Sequence, residues 1–326
     1  AVLVGAAAHE PCTSLVPPHA PRRVYGVGVN RGTLGQEVEL DGTLPPFSRT
    51  DRRAHNALWL LHHLTGDRVS RGLAGGVRSR LDTRLRASLA GASGGLEPLP
   101  EVDDIERFLA EHLLPARPAV FRGAASSWEA VQRWTPDFFR ARFGDETIRL
   151  LRMAPDEAGS EDFSATECLL RDALDRLDEG DCAYCRFLPF LMDHPDVQGM
   201  LDMDWFRERR GPLAPQENLQ LFIGGAGTST AMHTAISANF FVQVRGRKRW
   251  KIYAPEWSWV FQPPMQRSLY FMTLFDPDSP DYERFPEARA LRGYEVELEP
   301  GDILFNPPFW WHKVSNPTLS VGVAFR

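Results

Sequence analysis

The second half of the chain is a series of short apolar segments separated by turn residues, and this pattern limits the folds available to it. Six segments after residue 217 have the length and composition of β-strands: 219–223, 239–244, 249–253, 294–298, 303–305 and 321–325. Turn-forming residues separate them, as in Glu299-Pro300-Gly301-Asp302. Many short strands after a helix-rich segment predict a mainly β domain, an antiparallel barrel or jelly roll with helical additions.

The first part of the chain has a different pattern. Residues 1–50 are rich in glycine and proline and predict loops with one short strand at 24–29, whereas residues 51–91 predict helix. Apolar residues recur there at every fourth position, the spacing of one helix face: Leu73, Val77, Leu81, Leu85 and Leu89. The glycine-rich segment 91–95 predicts a linker. We therefore predict an N-terminal extension of loops and helices over residues 1–95 and a β-rich domain over residues 96–326.

Composition and charge argue against several classes of protein. The formal net charge of −6 gives no general reason to expect binding to nucleic acid or to an anionic membrane. No apolar run approaches the roughly 18–20 residues of a membrane span. The opening segment is a poor secretion signal, so we expect a cytoplasmic protein. The four cysteines do not form a disulfide framework, and Cys182 and Cys185 predict two reduced thiols.

Three residues of the β-rich half have the chemistry of a metal and cosubstrate site. His233 lies where a loop enters a predicted strand, and His312 follows the aromatic pair Trp310-Trp311. Two imidazoles from different strands of a β-barrel are a natural ligand pair for non-haem iron. Lys248 is a candidate cation for one carboxylate of a dicarboxylate cosubstrate. Taken singly, each has a simpler explanation, because a histidine near aromatic residues is usually packed and a lysine in a basic segment is usually solvated.

The order of these residues resembles that of the Jumonji-C/cupin oxygenases, and most closely the branch that contains the asparaginyl hydroxylase of hypoxia-inducible factor. The resemblance is continuous from about residue 219 to 326, weaker from about residue 97, and absent from residues 1–95. The motifs that carry it are Asn239-Phe240-Phe241, Gln243, Gly246, Lys248, Asp281-Tyr282-Glu283-Arg284-Phe285-Pro286, Gly293-Tyr294-Glu295, Pro300-Gly301-Asp302 and Trp310-Trp311-His312.

This resemblance implies a fold and a set of cofactors. The fold would be a double-stranded β-helix in which His233 and His312 bind iron(II). Lys248 and Thr230 would hold the far carboxylate of 2-oxoglutarate, with Asn239 near its iron-chelating end. With O2 as oxidant, the reaction would begin with oxidative decarboxylation of 2-oxoglutarate to succinate and then remove hydrogen from an unactivated C–H bond.

One position departs from that family. The family's metal motif is His, any residue, then Asp or Glu, whereas this chain has His233-Thr234-Ala235. No Asp or Glu occurs between Glu217 and Glu256, so the third ligand of a facial triad is missing from its usual place. A carboxylate would have to come from a distant loop. Ala324 also stands where relatives often have a polar residue near the cosubstrate.

Four interpretations of Ala235 remain open. The one that the sequence favours is a radical halogenase, since related iron and 2-oxoglutarate halogenases carry His-x-Ala or His-x-Gly. The absent carboxylate opens a position beside Ala235 for chloride or bromide. The others are a hydroxylase in which aspartate has been replaced at position 235, a hydroxylase or desaturase that works with two histidines and water, and a catalytically silent module that binds a protein or peptide. The retention of Lys248, Thr230, Asn239 and both histidines argues against a silent module.

The sequence says less about partners. The resemblance implies a small-molecule or peptide substrate. Four arginines lie off the apolar stripe of residues 73–89, and they predict a solvated face rather than a nucleic-acid surface: Arg78, Arg80, Arg84 and Arg86. A homodimer is compatible with the family and would have to form through the N-terminal helices, since no helix follows the last predicted strand.

Overall fold

The structure is a computed structural model that describes residues 42–151, 165–180, 184–210, 217–263 and 271–326. The predicted strand at 24–29 and Cys182 lie outside these residues. Cys185 is a free, buried thiol, and burial raises the pKa of this thiol to about 12. It is therefore the reduced core cysteine that the sequence predicts.

Helices occupy the N-terminal part of the described chain and strands the C-terminal part. The α-helices are α1 (Arg49–Thr65), α2 (Asp67–Ser88), α3 (Ile105–Phe108), α4 (Glu129–Arg133), α5 (Pro136–Phe143), α6 (Leu170–Asp178), α7 (Pro195–Gln198), α8 (Met203–Arg209) and α9 (Ser258–Phe261). The strands are β1 (Gly95–Pro98), β2 (Ala119–Phe121), β3 (Thr147–Leu151), β4 (Ala165–Leu169), β5 (Tyr184–Leu188), β6 (Leu219–Gly224), β7 (Asn239–Arg245), β8 (Lys248–Tyr253), β9 (Arg292–Leu298), β10 (Ile303–Asn306), β11 (Trp311–Ser315) and β12 (Ser320–Phe325). No helix in the described ranges is both long and apolar enough to cross a membrane.

Two sheets contain most of these strands. One has the strand order β1-β9-β8-β11 and the other the order β2-β10-β7-β12-β6-β5, while β3 and β4 form a separate pair. All strand pairs are antiparallel except β1 with β9. This is the mainly antiparallel jelly roll with added helices that the sequence predicts.

The six-stranded sheet is buried on both faces. On β7, Phe241 lies in the core between the two sheets, whereas its neighbours Phe240 and Val242 lie in a second core under the helices. Asn239 and Gln243 share the face of Phe241, because side chains alternate along a strand. The two uncharged polar residues of β7 therefore lie on the side of the sheet where the functional groups are found.

The six strands predicted after residue 217 are all present, with ends that differ by one or two residues. The prediction missed β11, which carries His312, because Trp311 and Val314 are its only apolar residues and its pattern is weak. This strand forms through its pairing with β8, where His312 lies opposite Ile252.

The prediction of a linker at 91–95 is wrong at its C-terminal end. The amide of Gly94 donates to the carbonyl oxygen of Arg289 at 2.8 Å, and the amide of Gly95 donates to that of Leu291 at 2.9 Å. Gly95 then begins β1, which pairs with β9. A Cβ at Gly94 would lie 2.6 Å from the Leu291 oxygen, so this glycine permits a close backbone contact rather than a flexible connection.

Helices α1 and α2 form a hairpin that packs on the β-domain through the C-terminal half of α2. Leu81, Leu85 and Leu89 are buried in the core that contains Phe241. Leu73 and Val77, which belong to the same stripe, are 72% and 56% exposed. The sequence pattern predicts one apolar face, but only tertiary contacts determine which part of it is covered.

Four arginines of α2 were predicted to be solvated. Two of them, Arg84 and Arg86, form ion pairs that hold the hairpin in place. Arg84 lies 2.7 Å from Asp51 of α1, and Arg86 lies 2.8 Å from Glu287 of the β-domain. Asp51 is buried, and hydrogen bonds from Ser48 and Arg84 lower the pKa of its carboxyl group. These contacts connect α1 to α2 and α2 to the β-domain.

Leu81→Ala is expected to lower the free energy of unfolding by about 2–5 kcal/mol, because it removes a fully buried side chain and leaves a cavity. The matched control is Leu73→Ala, the same substitution about two turns earlier on α2, which should change stability by no more than about 0.5 kcal/mol. Urea unfolding of both variants measures the difference. Equal effects would contradict the docking of α2 on the β-domain.

Candidate metal and cosubstrate site

Two histidines lie side by side between the sheets. His312 is on β11, and the segment that contains His233 runs antiparallel to it. The amide of each residue donates to the carbonyl oxygen of the other, at 3.1 and 2.8 Å. The ring centroids are 4.1 Å apart, and Trp250 of β8 stacks on His312 at 5.4 Å. The fold thus brings together two residues that are 79 positions apart in the chain.

Backbone carbonyl groups set the tautomer of both rings. Nδ1 of His233 lies 2.8 Å from the carbonyl oxygen of Ala231, and Nδ1 of His312 lies 2.8 Å from that of Trp310. A carbonyl oxygen only accepts, so each Nδ1 carries the proton and each Nε2 keeps its lone pair. Metal-binding histidines are usually oriented by this kind of hydrogen bond.

Burial also keeps both rings neutral. It lowers the pKa of His312 to about 4. Burial is also the main reason that the pKa of His233 lies well below its usual range, and the neighbouring His312 and Arg186 act in the same direction. A neutral imidazole is the form that binds a metal ion. Two such nitrogens fit iron(II), although they suit other first-row metals as well.

Ala235 lies two residues after His233 and is buried. Its carbonyl oxygen accepts a hydrogen bond from the amide of Phe309 at 2.7 Å, which ties this segment to the loop before β11. Within the described ranges, no three His, Cys, Asp or Glu side chains are grouped so that they could hold a metal ion. The distant carboxylate that the sequence left open is therefore absent from the part of the chain that the structure describes.

Lys248 lies at the start of β8 with its side chain buried between the sheets, at 1% exposure. Its Nζ donates to the hydroxyl of Tyr184 at 3.1 Å and to Oδ1 of Asn316 at 2.6 Å. It also lies over the rings of Tyr184 and Phe241. None of the ion pairs found among the described residues involves this ammonium group, and burial lowers the pKa of Lys248. A buried cation with only neutral partners is unfavourable unless an anion joins it.

Thr230 lies near this group but not in hydrogen-bond contact with it. Its hydroxyl accepts from the amide of Val314 at 3.0 Å, and no hydrogen bond among the described residues joins it to Lys248. The immediate neighbours of Lys248 are Tyr184 and Asn316, which the sequence analysis missed. Neither residue had a signal in the sequence, because β5 was not predicted and Asn316 directly follows β11, the strand that the prediction missed.

Two asparagines lie opposite each other next to His312. Asn239 of β7 pairs in register with Asn306 of β10, and the side-chain amide of Asn306 lies 3.3 Å from Nδ1 of His312. Both asparagines are buried. Because Nδ1 of His312 carries a proton, the side-chain amide of Asn306 faces it with its oxygen, whereas Oδ1 of Asn239 has no hydrogen-bond partner among the described residues. Buried polar atoms of this kind are usually satisfied, so the side chain of Asn239 fits a site that a polar ligand completes.

Arg186 of β5 is also buried, and its guanidinium lies 4.7 Å from the ring centre of Tyr184. It lowers the pKa values of both His233 and Lys248, although burial is the larger cause in each. No described carboxylate contributes to the shifts of these two groups. The ammonium group of Lys248, whose described hydrogen-bond partners are both neutral, is the group that favours an anionic ligand.

Comparison with known proteins places this architecture in a family. The model of the cupin-like domain matches residues 105–325. Lysine-specific demethylase 8 of Danio rerio is 27% identical over 245 residues, which cover 71% of this chain and 59% of that protein. Lysine-specific demethylase JMJ30 of Arabidopsis thaliana is 27% identical over 233 residues, 68% of this chain and 52% of that protein.

A shorter match is more similar in sequence. HSPB1-associated protein 1 of Homo sapiens is 37% identical over 141 residues, which cover 41% of this chain and 27% of that protein. The chain thus spans little more than half the length of the two demethylases and a smaller part of this third protein.

Lys248→Met is expected to raise the free energy of unfolding of the protein without ligands by about 1–3 kcal/mol, because it replaces a buried charge that has only neutral partners by an apolar side chain of similar length. The control is Lys251→Met on the same strand, where the lysine pairs with Asp278 at 2.6 Å nearer the surface. That change should alter stability by less than about 1 kcal/mol. Destabilisation by Lys248→Met would mean that the ammonium group already has a stabilising anionic partner.

Proposed function

Because the chain belongs to the cupin-like domain family of the Jumonji-C/cupin superfamily, we propose that it is a non-haem iron(II), 2-oxoglutarate-dependent oxygenase that acts on an unactivated C–H bond. His233 and His312 hold the iron, and Lys248 holds the far carboxylate of 2-oxoglutarate, with O2 as the second cosubstrate. Two of the relatives are named lysine-specific demethylases.

The observation that carries the proposal is the buried ammonium group of Lys248. Its protein partners are a phenol and an amide, which do not neutralise its charge. A dicarboxylate cosubstrate supplies the missing anion. Asn316 also donates to Thr228 at 2.8 Å, so the Oδ1 that receives the lysine is held in a fixed position.

The histidines supply the metal side of the site. Their Nδ1–H groups are fixed by Ala231 and Trp310, so both Nε2 lone pairs are set before a metal arrives. Iron(II) bound there would supply the redox chemistry by which 2-oxoglutarate and O2 oxidise a substrate. Trp250 and Phe241 cover the ligands with apolar surface, which limits access of water to the site.

A second candidate function is radical halogenation, and Ala235 is the observation that favours it. Its methyl group is buried beside His233 where a carboxylate ligand would otherwise lie. Without that negative charge, and with positive charge nearby, the position suits a chloride or bromide ion. A hydroxylase with two histidines and water uses the same geometry, so the two candidates differ in what occupies the place beside Ala235.

The proposed cosubstrate site is tested by turnover. His312→Ala and Lys248→Met should each reduce formation of succinate from 2-oxoglutarate at least about 100-fold, whereas Lys251→Met should leave it near the wild-type rate. Mass spectrometry of succinate measures the outcome. If both site variants keep wild-type turnover, the assignment of these residues fails. If the wild-type protein binds neither iron nor 2-oxoglutarate in a thermal-shift assay, the chain is a silent binding module.

Halide dependence separates the two candidate reactions. If halide binds beside Ala235, bromide should shift the charge-transfer band of the anaerobic complex with iron(II) and 2-oxoglutarate, and Ala235→Asp should abolish that shift. Ala235→Glu, with a longer side chain, is a companion variant that tests whether any carboxylate blocks the position. A spectrum and a product mass that do not respond to bromide would leave the hydroxylase.

A further inference from the structure

A cavity lies under helix α1. Its volume is about 590 Å³, which is within the range of small-molecule sites. Thr234, which lies between His233 and Ala235 in the chain, lines this cavity. Phe309 also lines it, and the amide of Phe309 donates to the carbonyl oxygen of Ala235. The cavity wall therefore includes residues from the segment that carries His233 and from the loop before β11.

Much of the cavity wall is aromatic. Trp59 of α1 packs edge-on against Phe271 at a centroid distance of 4.9 Å, so one wall joins the helix to the β-domain. The aromatic lining residues are Phe47, Trp59, Trp259, Phe271, Phe309 and Trp311. Surfaces of this kind bind apolar, ring-sized groups.

Positive charge is concentrated on one side of the same cavity. Arg49, Arg52 and Arg53 of α1 line it together with a single carboxylate, Glu256. Glu256 lies 3.6 Å from Arg52, whereas none of the ion pairs among the described residues involves Arg49 or Arg53. These cations also stand at the beginning of a helix, where the helix dipole opposes positive charge.

We infer that this cavity binds the substrate of the proposed oxygenase and that this substrate is a small molecule with an apolar, ring-containing body and an anionic group. Arg49 and Arg53 bind the anionic group, and the aromatic wall holds the body. A cationic substrate would meet two arginines and no available carboxylate. The reaction rests on the proposed function, but binding in this cavity needs neither iron nor 2-oxoglutarate.

Three probes that differ mainly in charge test the inference: 3-phenylpropionate, phenyl phosphate and 3-phenylpropylamine. Binding is measured by calorimetry and by the fluorescence of the protein, since Trp59 and Trp259 line the cavity. We expect at least one anionic probe to bind about tenfold more tightly than the amine. The double variant Arg49→Gln, Arg53→Gln should remove this preference, and Arg80→Gln, on an exposed position of α2 that does not line the cavity, should keep it.

The same titrations are repeated in Lys248→Met, which removes the other anion-binding cation. If Lys248→Met still binds the anionic probe more tightly than the amine, the anionic probe binds in the cavity. This conclusion holds even if the protein does not turn over 2-oxoglutarate. Loss of the preference in Lys248→Met, with no effect of the arginine substitutions, would mean that the probes bind in the cosubstrate site and would overturn the inference. Equal or tighter binding of the amine would overturn it as well.

Discussion

The six-stranded sheet is apolar on both faces, so each face has to be covered. Helices cover the outer face, where Phe240 and Val242 pack, and the four-stranded sheet covers the inner face around Phe241. Burial of both faces removes a large apolar area from water and is the main source of stability for such a sheet. Because the inner space is closed by apolar residues, the few polar groups within it are desolvated. This desolvation is the largest cause of the pKa shifts of His233, His312 and Lys248.

Desolvation affects the inner polar groups in a consistent way. It keeps His233 and His312 neutral, which is the state that binds a metal, and it makes the charge of Lys248 unfavourable until an anion arrives. The hydrogen bonds from the histidines to backbone carbonyl groups are satisfied within the protein, whereas the hydrogen-bond partners of Lys248 among the described residues are neutral. The fold therefore orients both imidazole rings, but no described carboxylate joins them and no described carboxylate pairs with Lys248.

The N-terminal hairpin lies outside the part of the chain that defines the family. Residues 105–325 match the family model, while α1 and α2 precede that range, and α1 supplies the arginines that line the cavity. Arg84 and Arg86 connect the hairpin internally and to the β-domain through Asp51 and Glu287. If the cavity binds the substrate as inferred, substrate specificity would depend on side chains outside the shared domain.

The sequence alone determined the fold class, six of the strands, and the identity of both histidines and of Lys248, because strand periodicity and ordered motifs are local properties of the chain. It also determined that Ala235, two residues after His233, stands where the family has a carboxylate. Only the tertiary structure decided that Tyr184 and Asn316 contact Lys248, that β11 is a strand, and that segment 91–95 joins a sheet edge. These depend on pairing between distant residues, for which no local pattern exists. Tertiary contacts also decided which half of the apolar stripe on α2 is buried, because an amphipathic helix specifies an apolar face but not what packs against it.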